Sequence, residues 1–347
     1  MIHVSSAPVE SDSWQSILAN CVSDPKTLLQ RLALDPKLLD AAHAASREFA
    51  LRVPEPYLSR MRKGDPDDPL LRQVLPLGEE LVAQPGYVLD PLGEQHSNAR
   101  PGIIHKYHGR LLLLVSGGCA INCRYCFRRH FPYADNNLST AEWDQALDYI
   151  RADSSIREVI YSGGDPLAAN DRRLTWLTRE IAAIEHVRRL RVHTRLPVVI
   201  PQRVTPELLD ALCGTRLPVT MVLHCNHANE LDAEMATAIM RLKSAGITLL
   251  NQAVLLKGVN DRLEDQINLS EALGDHGVIP YYLHVLDAVR GAHHFHVDDA
   301  QACTLVGQML TRLPGFLVPR LVREQAGQPS KLPLPVSPRA AGAMPDE

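Results

Sequence analysis

The sequence predicts an α/β fold, namely a partial barrel of six strand–helix units, (β/α)6, between a helical N-terminal region and a C-terminal tail. Residues 1–104 are rich in Leu, Ala, Asp and Pro, with apolar residues at helical spacing. Short apolar runs alternate with helical patterns over residues 105–315, and residues 316–347 become polar and rich in Pro. Alternating strands and helices indicate a parallel sheet, and six units are too few to close a barrel of eight. We expect the functional site at the carboxyl ends of the strands.

The individual elements follow from local patterns. Apolar residues recur every three or four positions from Pro25 to Arg52, which indicates helix. The predicted strands cover residues 111–115, 158–164, 189–195, 219–226, 248–256 and 279–286. The capping-box pattern Ser139–Glu142 and the pair Thr205–Pro206 predict two helix starts. A further helix is predicted from Glu230 to Ala245, with Gly246 ending it. The last ten residues are predicted to be disordered.

Composition and charge exclude several classes of function. The 347 residues are 45% hydrophobic and 22% charged, which is typical of a globular protein, and the net charge is -4 with a pI near 6.4. This balance lacks the basic surface that nucleic acid requires. The chain has neither a signal-peptide pattern nor a run of about 20 apolar residues, so we expect a cytoplasmic protein without a membrane partner. Seven cysteines, an odd number, favour reduced thiols over disulfides.

Three of these cysteines lie close together after the first predicted strand. Cys119, Cys123 and Cys126 stand in the segment GGCAINCRYCFRRHF. Thiolates are the usual ligands of iron–sulfur clusters and four is the usual number, so three thiolates on one loop leave one iron open to a small molecule. The amino and carboxylate groups of S-adenosylmethionine can chelate such an iron. The alternative is a zinc site in which His130 completes a Cys3His set, although a domain of this size folds without a structural metal.

A second motif ends the second predicted strand and has the sequence Ser162-Gly163-Gly164-Asp165-Pro166. Two glycines let a ligand approach the backbone closely, and amide groups at a strand end can bind a polar group. By itself the motif is also compatible with an ordinary turn. We expect it near the cysteine loop, because both follow parallel strands.

These motifs carry a resemblance to known enzymes. The CxxxCxxC loop after the first strand resembles that of the radical S-adenosylmethionine superfamily. From about residue 50 to 335 the chain resembles the lysine 2,3-aminomutase family, in particular the branch that makes β-lysine for modification of elongation factor P. The segments that carry this resemblance are KYHGRLLLLVSGGCAINCRYCFRRHFPY, SGGDPL, TRLPVVIPQRVTPEL, HCNHANE, NQAVLLKGVND, PYYLHVLD and PSKLPL.

The resemblance implies a radical S-adenosylmethionine barrel, a cofactor-binding tail and a role for each matching residue. Cys119, Cys123 and Cys126 would hold a [4Fe-4S] cluster, while Ser162, Gly163, Gly164, Asp165, His224 and Gln252 would contact S-adenosylmethionine. Tyr107, Arg110 and Lys331 would bind pyridoxal 5'-phosphate, with Lys331 as the catalytic lysine. Arg128 would bind the substrate carboxylate, and Asp287 and Glu324 its distal ammonium. The chain departs from the family at Glu324, where Asp is common, and over Ala326–Ser330, where the family has a glycine-rich run.

The activity implied is conversion of (S)-lysine to (R)-β-lysine. The expected partners are lysine, an electron donor such as a flavodoxin or ferredoxin, and, as a functional link, elongation factor P with its lysine ligase. Two alternatives remain open from the sequence. One is another radical S-adenosylmethionine enzyme that uses no pyridoxal phosphate, and the other is a zinc or iron–sulfur interaction module.

Overall fold

A single sheet forms the framework of the molecule. The computed structural model describes residues 13–136 and 138–338. The strands are Ile103–Tyr107 (β1), Arg110–Ser116 (β2), Glu158–Gly163 (β3), Arg189–Thr194 (β4), Val219–Leu223 (β5), Thr248–Val254 (β6), Ile279–His284 (β7), Arg320–Arg323 (β8) and Leu332–Pro333 (β9). Their order in the sheet is their order in the sequence. Strands β2 to β8 are parallel, whereas β1 and β9 run antiparallel at the edges.

Helices precede the sheet and alternate with its parallel strands. In the N-terminal region they are Trp14–Ala19 (α1), Pro25–Arg31 (α2), Leu39–Glu48 (α3), Glu55–Leu58 (α4), Pro69–Arg72 (α5) and Glu94–Ser97 (α6). Between and after the strands they are Thr140–Ala152 (α7), Asp171–Ala182 (α8), Leu196–Val199 (α9), Pro206–Cys213 (α10), Ala233–Ser244 (α11), Leu263–Asp275 (α12) and Asp299–Met309 (α13). This alternation confirms the predicted partial α/β barrel.

The structure extends the prediction at both edges of the sheet. The six predicted strands correspond to β2 through β7. Strand β1 forms a hairpin with β2, and β8 adds a seventh parallel strand from within the predicted tail. Strand β9 has only two residues and pairs with β8. The predicted domain boundaries stay a prediction, and most of the segment predicted to be disordered, residues 339–347, lies outside the described residues.

Helix ends follow the local capping chemistry, with one correction. Ser139 and Glu142 form the predicted capping box of α7, and Thr205 caps α10 before Pro206. The predicted start of α11 at Glu230 is wrong. That residue ends a short 3-10 turn, and α11 begins after Asp232, whose carboxylate accepts from the backbone N–H of Met235 at 2.8 Å. Capping by the Asp232 side chain therefore sets the start of α11.

The N-terminal helices and the barrel share one apolar core. Trp14, Leu28 and Leu70 from the N-terminal region belong to the same buried cluster as Leu111 and Leu283 from the strands. Removal of this apolar surface from water holds the helical region against the barrel. No helix among residues 13–136 and 138–338 is both long enough and apolar enough to cross a bilayer.

The carboxyl ends of β2 and β3 lie in very close contact. Gly163 has a φ of 128°, and a Cβ atom built there would lie 2.2 Å from the carbonyl oxygen of Ser116. The backbone N–H of Gly164 donates to that same oxygen at 2.8 Å, and the N–H of Asp165 donates to the carbonyl of Gly118 at 2.8 Å. The loop that follows β2 is therefore held directly against the motif that ends β3.

We predict that Gly163→Ala destabilises the protein by roughly 2–5 kcal/mol. The substitution combines a left-handed φ with steric overlap, each of which costs about 1–3 kcal/mol. Urea-induced unfolding of the purified protein measures the change. Gly118→Ala is the matched control, because a Cβ at Gly118 would meet its nearest neighbour, the Ser116 hydroxyl, at 3.8 Å. Equal loss of stability in the two variants would contradict the proposed close contact.

Candidate active site

One cavity of about 820 Å³ lies at the carboxyl ends of the parallel strands. Every residue to which the family resemblance assigned a role lines it. These residues are Tyr107, Arg110, Cys119, Cys123, Cys126, Arg128, Ser162, Gly163, Gly164, Asp165, His224, Gln252, Asp287, Glu324 and Lys331. The structure thus brings together positions that are up to 224 residues apart in the sequence, between Tyr107 and Lys331. Their individual roles stay predictions.

The three thiols line the part of the cavity formed by the loop after β2. Burial raises the pKa of Cys126 to about 12 and that of Cys119 well above its ordinary value. Both thiols are therefore protonated at neutral pH, and a metal must displace these protons when it binds. A Cβ at Gly164 would lie 2.9 Å from Sγ of Cys119, so the glycine keeps space open beside the thiol. This donor set of three soft ligands beside an open wall fits an iron–sulfur cluster.

The zinc alternative would require four ligands around a single ion. In the part of the chain that the structure describes, no group of three His, Cys, Asp or Glu side chains could hold one metal ion. His130 lies with its Nε2 atom 3.4 Å from the carbonyl oxygen of Arg290. Ligands of a cluster bind different irons and do not have to surround one ion.

Buried ion pairs hold the cysteine loop in place. Arg124 binds both carboxylate oxygens of Glu80, at 2.8 and 2.6 Å, and Arg129 binds the same carboxylate at 2.8 Å. All three side chains are almost completely buried. Loss of Glu80 would leave two buried charges without a partner, which is strongly destabilising. A carboxylate from the N-terminal region therefore fixes the loop that carries the thiols.

Asp165 connects the ends of β3 and β4. Its carboxylate accepts from the hydroxyl of Thr194 at 2.7 Å and from the backbone N–H groups of Arg195 and Leu196 at 2.7 and 2.9 Å. These bonds hold the groups that end β4 and follow it, and Asp165 lines the cavity together with Ser162 and the two glycines.

Arg128 is already engaged by protein groups. Its Nε and Nη2 atoms donate to the two carboxylate oxygens of Glu94 at 2.6 and 2.9 Å, and Nη1 donates to the Ser162 hydroxyl at 2.9 Å. Lys106 lies 3.0 Å from the same Glu94 carboxylate. Burial alone would raise the pKa of Glu94, but these two cations outweigh it and keep the carboxylate ionised.

Lys331 and Glu324 meet because β8 and β9 pair antiparallel. Glu324 follows β8, Lys331 precedes β9, and the amine of Lys331 donates to the Glu324 carboxylate. The same carboxylate accepts from Lys106 at 3.0 Å and from the hydroxyl of Tyr107 at 3.2 Å. Burial alone would raise the pKa of Glu324, but the charges of Lys331 and Lys106 outweigh burial and hold this pKa below its ordinary value. The carboxylate is therefore ionised. The guanidinium of Arg110 stacks 4.7 Å from the centre of the Tyr107 ring.

Asp287 is a carboxyl group whose surroundings disfavour its ionised form. Loss of solvation and the nearby Glu324 charge raise its pKa to about 7, although Lys331 partly opposes them. At neutral pH this carboxyl group therefore ionises far less readily than an ordinary aspartate. A cationic ligand beside it would favour the ionised form.

Three histidine side chains, His193, His224 and His284, provide neutral polar groups in the cavity lining. Burial and nearby cations lower the pKa of His224 to about 3, and its Nε2 atom lies 2.8 Å from the Gln252 amide nitrogen. Within the described residues, the Nε2 atoms of His193 and His284 are buried and have no hydrogen-bond partner. Such orphaned atoms in a cavity fit a site whose ligand supplies the missing partners.

Three further residues of the site escaped the sequence analysis. Glu94 and Lys106 connect Arg128 to Glu324, and Arg195 donates to Sγ of Cys123 at 2.7 Å. Arg195 is the last residue of the strand predicted over residues 189–195, at the carboxyl edge of the sheet, and this position could have revealed it. Lys106 lies next to Tyr107 in a quoted segment, whereas no sequence pattern distinguishes Glu94.

Comparison with known proteins agrees with this geometry. A family model described as the radical SAM superfamily matches residues 113–269. The L-lysine 2,3-aminomutase of Escherichia coli is 53% identical over 93% of this chain and 94% of its own length. Proteins of the same name from Haemophilus influenzae and Buchnera aphidicola are 50% and 44% identical, over 93% and 92% of this chain and 95% of their own lengths.

These matches confirm the resemblance found in the sequence and indicate an isomerase. The thiols, the glycine motif and the tail lysine all lie within one cavity. The chain therefore belongs to the lysine 2,3-aminomutase family of the radical S-adenosylmethionine superfamily.

Proposed function

We propose that this protein converts (S)-lysine to (R)-β-lysine with a [4Fe-4S] cluster, S-adenosylmethionine and pyridoxal 5'-phosphate bound in the described cavity. One observation carries the proposal. Three thiols, the amine of Lys331 and the carboxyl groups of Asp287 and Glu324 line a single cavity whose volume is near the upper end of ordinary ligand pockets.

The chain's own residues would hold the cluster and S-adenosylmethionine at the edge formed by β2 and β3. Cys119, Cys123 and Cys126 would bind three irons and leave the fourth open. Gly163 and Gly164 have no side chains, so backbone groups of this wall could meet the methionine part of the ligand. Neutral His224 and Gln252 could donate and accept hydrogen bonds in the same cavity.

Lys331 would hold pyridoxal phosphate through its amine, with Tyr107 and Arg110 beside the ring and the phosphate. Arginine suits phosphate because its planar donors match the oxygen geometry. The chemistry that these bound groups supply is homolytic removal of a substrate hydrogen and stabilisation of a carbon radical by a conjugated ring. The surrounding residues exclude water and position the amino acid.

The charged residues would orient lysine along the cavity. Arg128 would bind its carboxylate and would release or share Glu94 to do so, while Asp287 and Glu324 would bind the distal ammonium. Because Glu324 also pairs with Lys331, the distal ammonium of lysine and the amine of Lys331 would share this carboxylate. A substrate with a carboxylate at its far end would meet like charges instead.

The wider role that we propose is supply of β-lysine for modification of elongation factor P in the cytoplasm. A flavodoxin or ferredoxin would deliver the electron to the cluster. The identity shared with the Escherichia coli relative, which is named L-lysine 2,3-aminomutase, supports the chemistry, and the resemblance described above supports the link to elongation factor P.

Cofactor content separates the proposed function from its rivals. Protein reconstituted anaerobically should contain iron and sulfide and should also bind pyridoxal phosphate in a form that borohydride fixes to the chain. Iron and sulfide without this adduct would favour another radical S-adenosylmethionine enzyme. Zinc alone would favour an interaction module.

We predict that Cys126→Ser loses iron and S-adenosylmethionine cleavage but keeps the fold, because the apolar core does not depend on a metal. Iron analysis after anaerobic reconstitution and far-UV circular dichroism measure the two effects. Cys213→Ser is the matched control, since Cys213 ends α10 away from the cavity lining. Iron at the wild-type level in Cys126→Ser would contradict the three-thiolate site.

We predict that Lys331→Ala loses the borohydride-fixed adduct of pyridoxal phosphate and keeps iron at the wild-type level, because the two cofactors depend on different segments. Mass spectrometry of the intact reduced protein detects the adduct. Lys257→Ala, which alters an exposed lysine, should retain it. An adduct that persists in Lys331→Ala and disappears in Lys257→Ala would reassign the cofactor lysine.

We predict that Asp287→Ala lowers kcat/KM for lysine at least about a hundredfold. Removing one partner of a buried charge pair typically costs about 3–5 kcal/mol. Iron content and the pyridoxal adduct should stay unchanged. The control is Asp299→Ala, which removes an exposed pair with Arg323.

The pH profile of the wild type provides a second check on Asp287. Protonated Asp287 cannot pair with an ammonium, so kcat/KM for lysine should fall as the pH drops through about 7. Equal rates in Asp287→Ala and the wild type, or a wild type that prefers glutamate to lysine, would refute the substrate assignment.

A further inference from the structure

Arg195 holds a buried positive charge in hydrogen-bond contact with one of the three thiols. Its Nη1 atom donates to Sγ of Cys123 at 2.7 Å and to the hydroxyl of Tyr125 at 2.6 Å. Its side chain is only 6% exposed. The charge is therefore poorly screened by solvent at the point where it meets the sulfur.

The other end of the same guanidinium is held firmly. Its Nη2 atom donates to Gln73 at 2.7 Å, to the hydroxyl of Tyr57 at 3.1 Å and to Glu230 at 3.1 Å. Glu230 is fully buried, and its other oxygen accepts from the backbone N–H groups of Asn226 and His227. The guanidinium thus lies between a thiol and a fixed carboxylate and cannot turn away from the sulfur without losing several partners.

Anchoring of the loop alone does not require this arrangement. Arg124 and Arg129 already tie the loop to Glu80. The backbone N–H of Arg195 donates to Asp165 at 2.7 Å, so the main chain at this position is held without help from the side chain. What distinguishes Arg195 from these two arginines is its direct donation to a cysteine sulfur.

We propose that Arg195 sets the reduction potential of the cluster through Cys123, and that Glu230 offsets part of its effect. Reduction adds one electron to the cluster from the external one-electron donor, and no bond forms or breaks. A hydrogen bond to a ligand sulfur and a nearby positive charge both stabilise the reduced cluster, which raises its potential. The buried negative charge of Glu230 acts in the opposite sense. The inference rests on the proposed cluster site and makes Arg195 a positioning residue.

The test is an anaerobic redox titration of the reconstituted full chain, followed by electron paramagnetic resonance of the reduced cluster without S-adenosylmethionine. Arg195→Gln should shift the midpoint potential to a more negative value, and Glu230→Gln to a less negative one. Structural damage to the site would not shift the midpoint potentials of the two variants in opposite directions. Opposite shifts therefore identify an electrostatic effect.

The matched control is Arg203→Gln. Arg203 is equally buried and pairs with Asp171 at 2.6 Å, but its other bonds go to the carbonyls of Leu167 and Ala169 and it does not line the cavity. The midpoint potential should stay at the wild-type value. Arg195→Lys, which keeps the charge but lacks the planar fork, should lie between the wild type and Arg195→Gln.

Two outcomes would overturn the proposal. One is an unchanged potential in Arg195→Gln with wild-type iron content, and the other is a shift of Arg195→Gln and Glu230→Gln in the same direction. If Arg195→Gln fails to hold iron, the other two variants decide. A midpoint potential of Arg195→Lys that is less negative than that of the wild type would overturn the proposal. An unchanged midpoint potential in Glu230→Gln would also overturn it. A wild type that binds no iron would instead refute the proposed cluster site.

Discussion

The contact between the loop after β2 and the end of β3 constrains the rest of the site. Gly163 adopts a φ of 128°, and the Ser116 carbonyl oxygen lies 2.2 Å from the place that a Cβ would take. Gly164 leaves open the space beside the Cys119 thiol. This contact fixes where the cysteine loop begins. From the same point Asp165 reaches the end of β4 and orients Arg195, whose side chain returns to Cys123. Two short motifs that are separate in the sequence therefore form one structural unit.

Charged residues hold the remaining irregular segments around the cavity. Glu80 and Glu94 both come from the N-terminal region and bind arginines of the cysteine loop. Buried ion pairs cost desolvation energy and often add little net stability, so their value here is the geometry that they impose. Through them the N-terminal region becomes part of the active site as well as part of the apolar core.

The sequence predicted most of what depends on local pattern. Strands β2 to β7, the α7 capping box and the cysteine loop each have a signature within a few residues. Strand β8 takes its place in the sheet by pairing with the distant β7, and the edge strands β1 and β9 pair with β2 and β8. Glu94 and Arg195 gain their importance only from long-range contacts. The start of α11 was predicted at Glu230 but lies after Asp232, whose carboxylate caps the helix. The position of Lys331 in the cavity came from family resemblance, since a lysine in a Pro-rich tail carries no local signal.

The central claim is that a cluster, a pyridoxal lysine and a pair of carboxylates act together on lysine in one cavity. The most direct measurement is an anaerobic assay of the reconstituted protein with (S)-lysine, S-adenosylmethionine, pyridoxal phosphate and a reductant, with product detected by chiral mass spectrometry. The account predicts (R)-β-lysine that requires all of these components. Iron-loaded protein that forms no β-lysine, or forms it without pyridoxal phosphate, would contradict it.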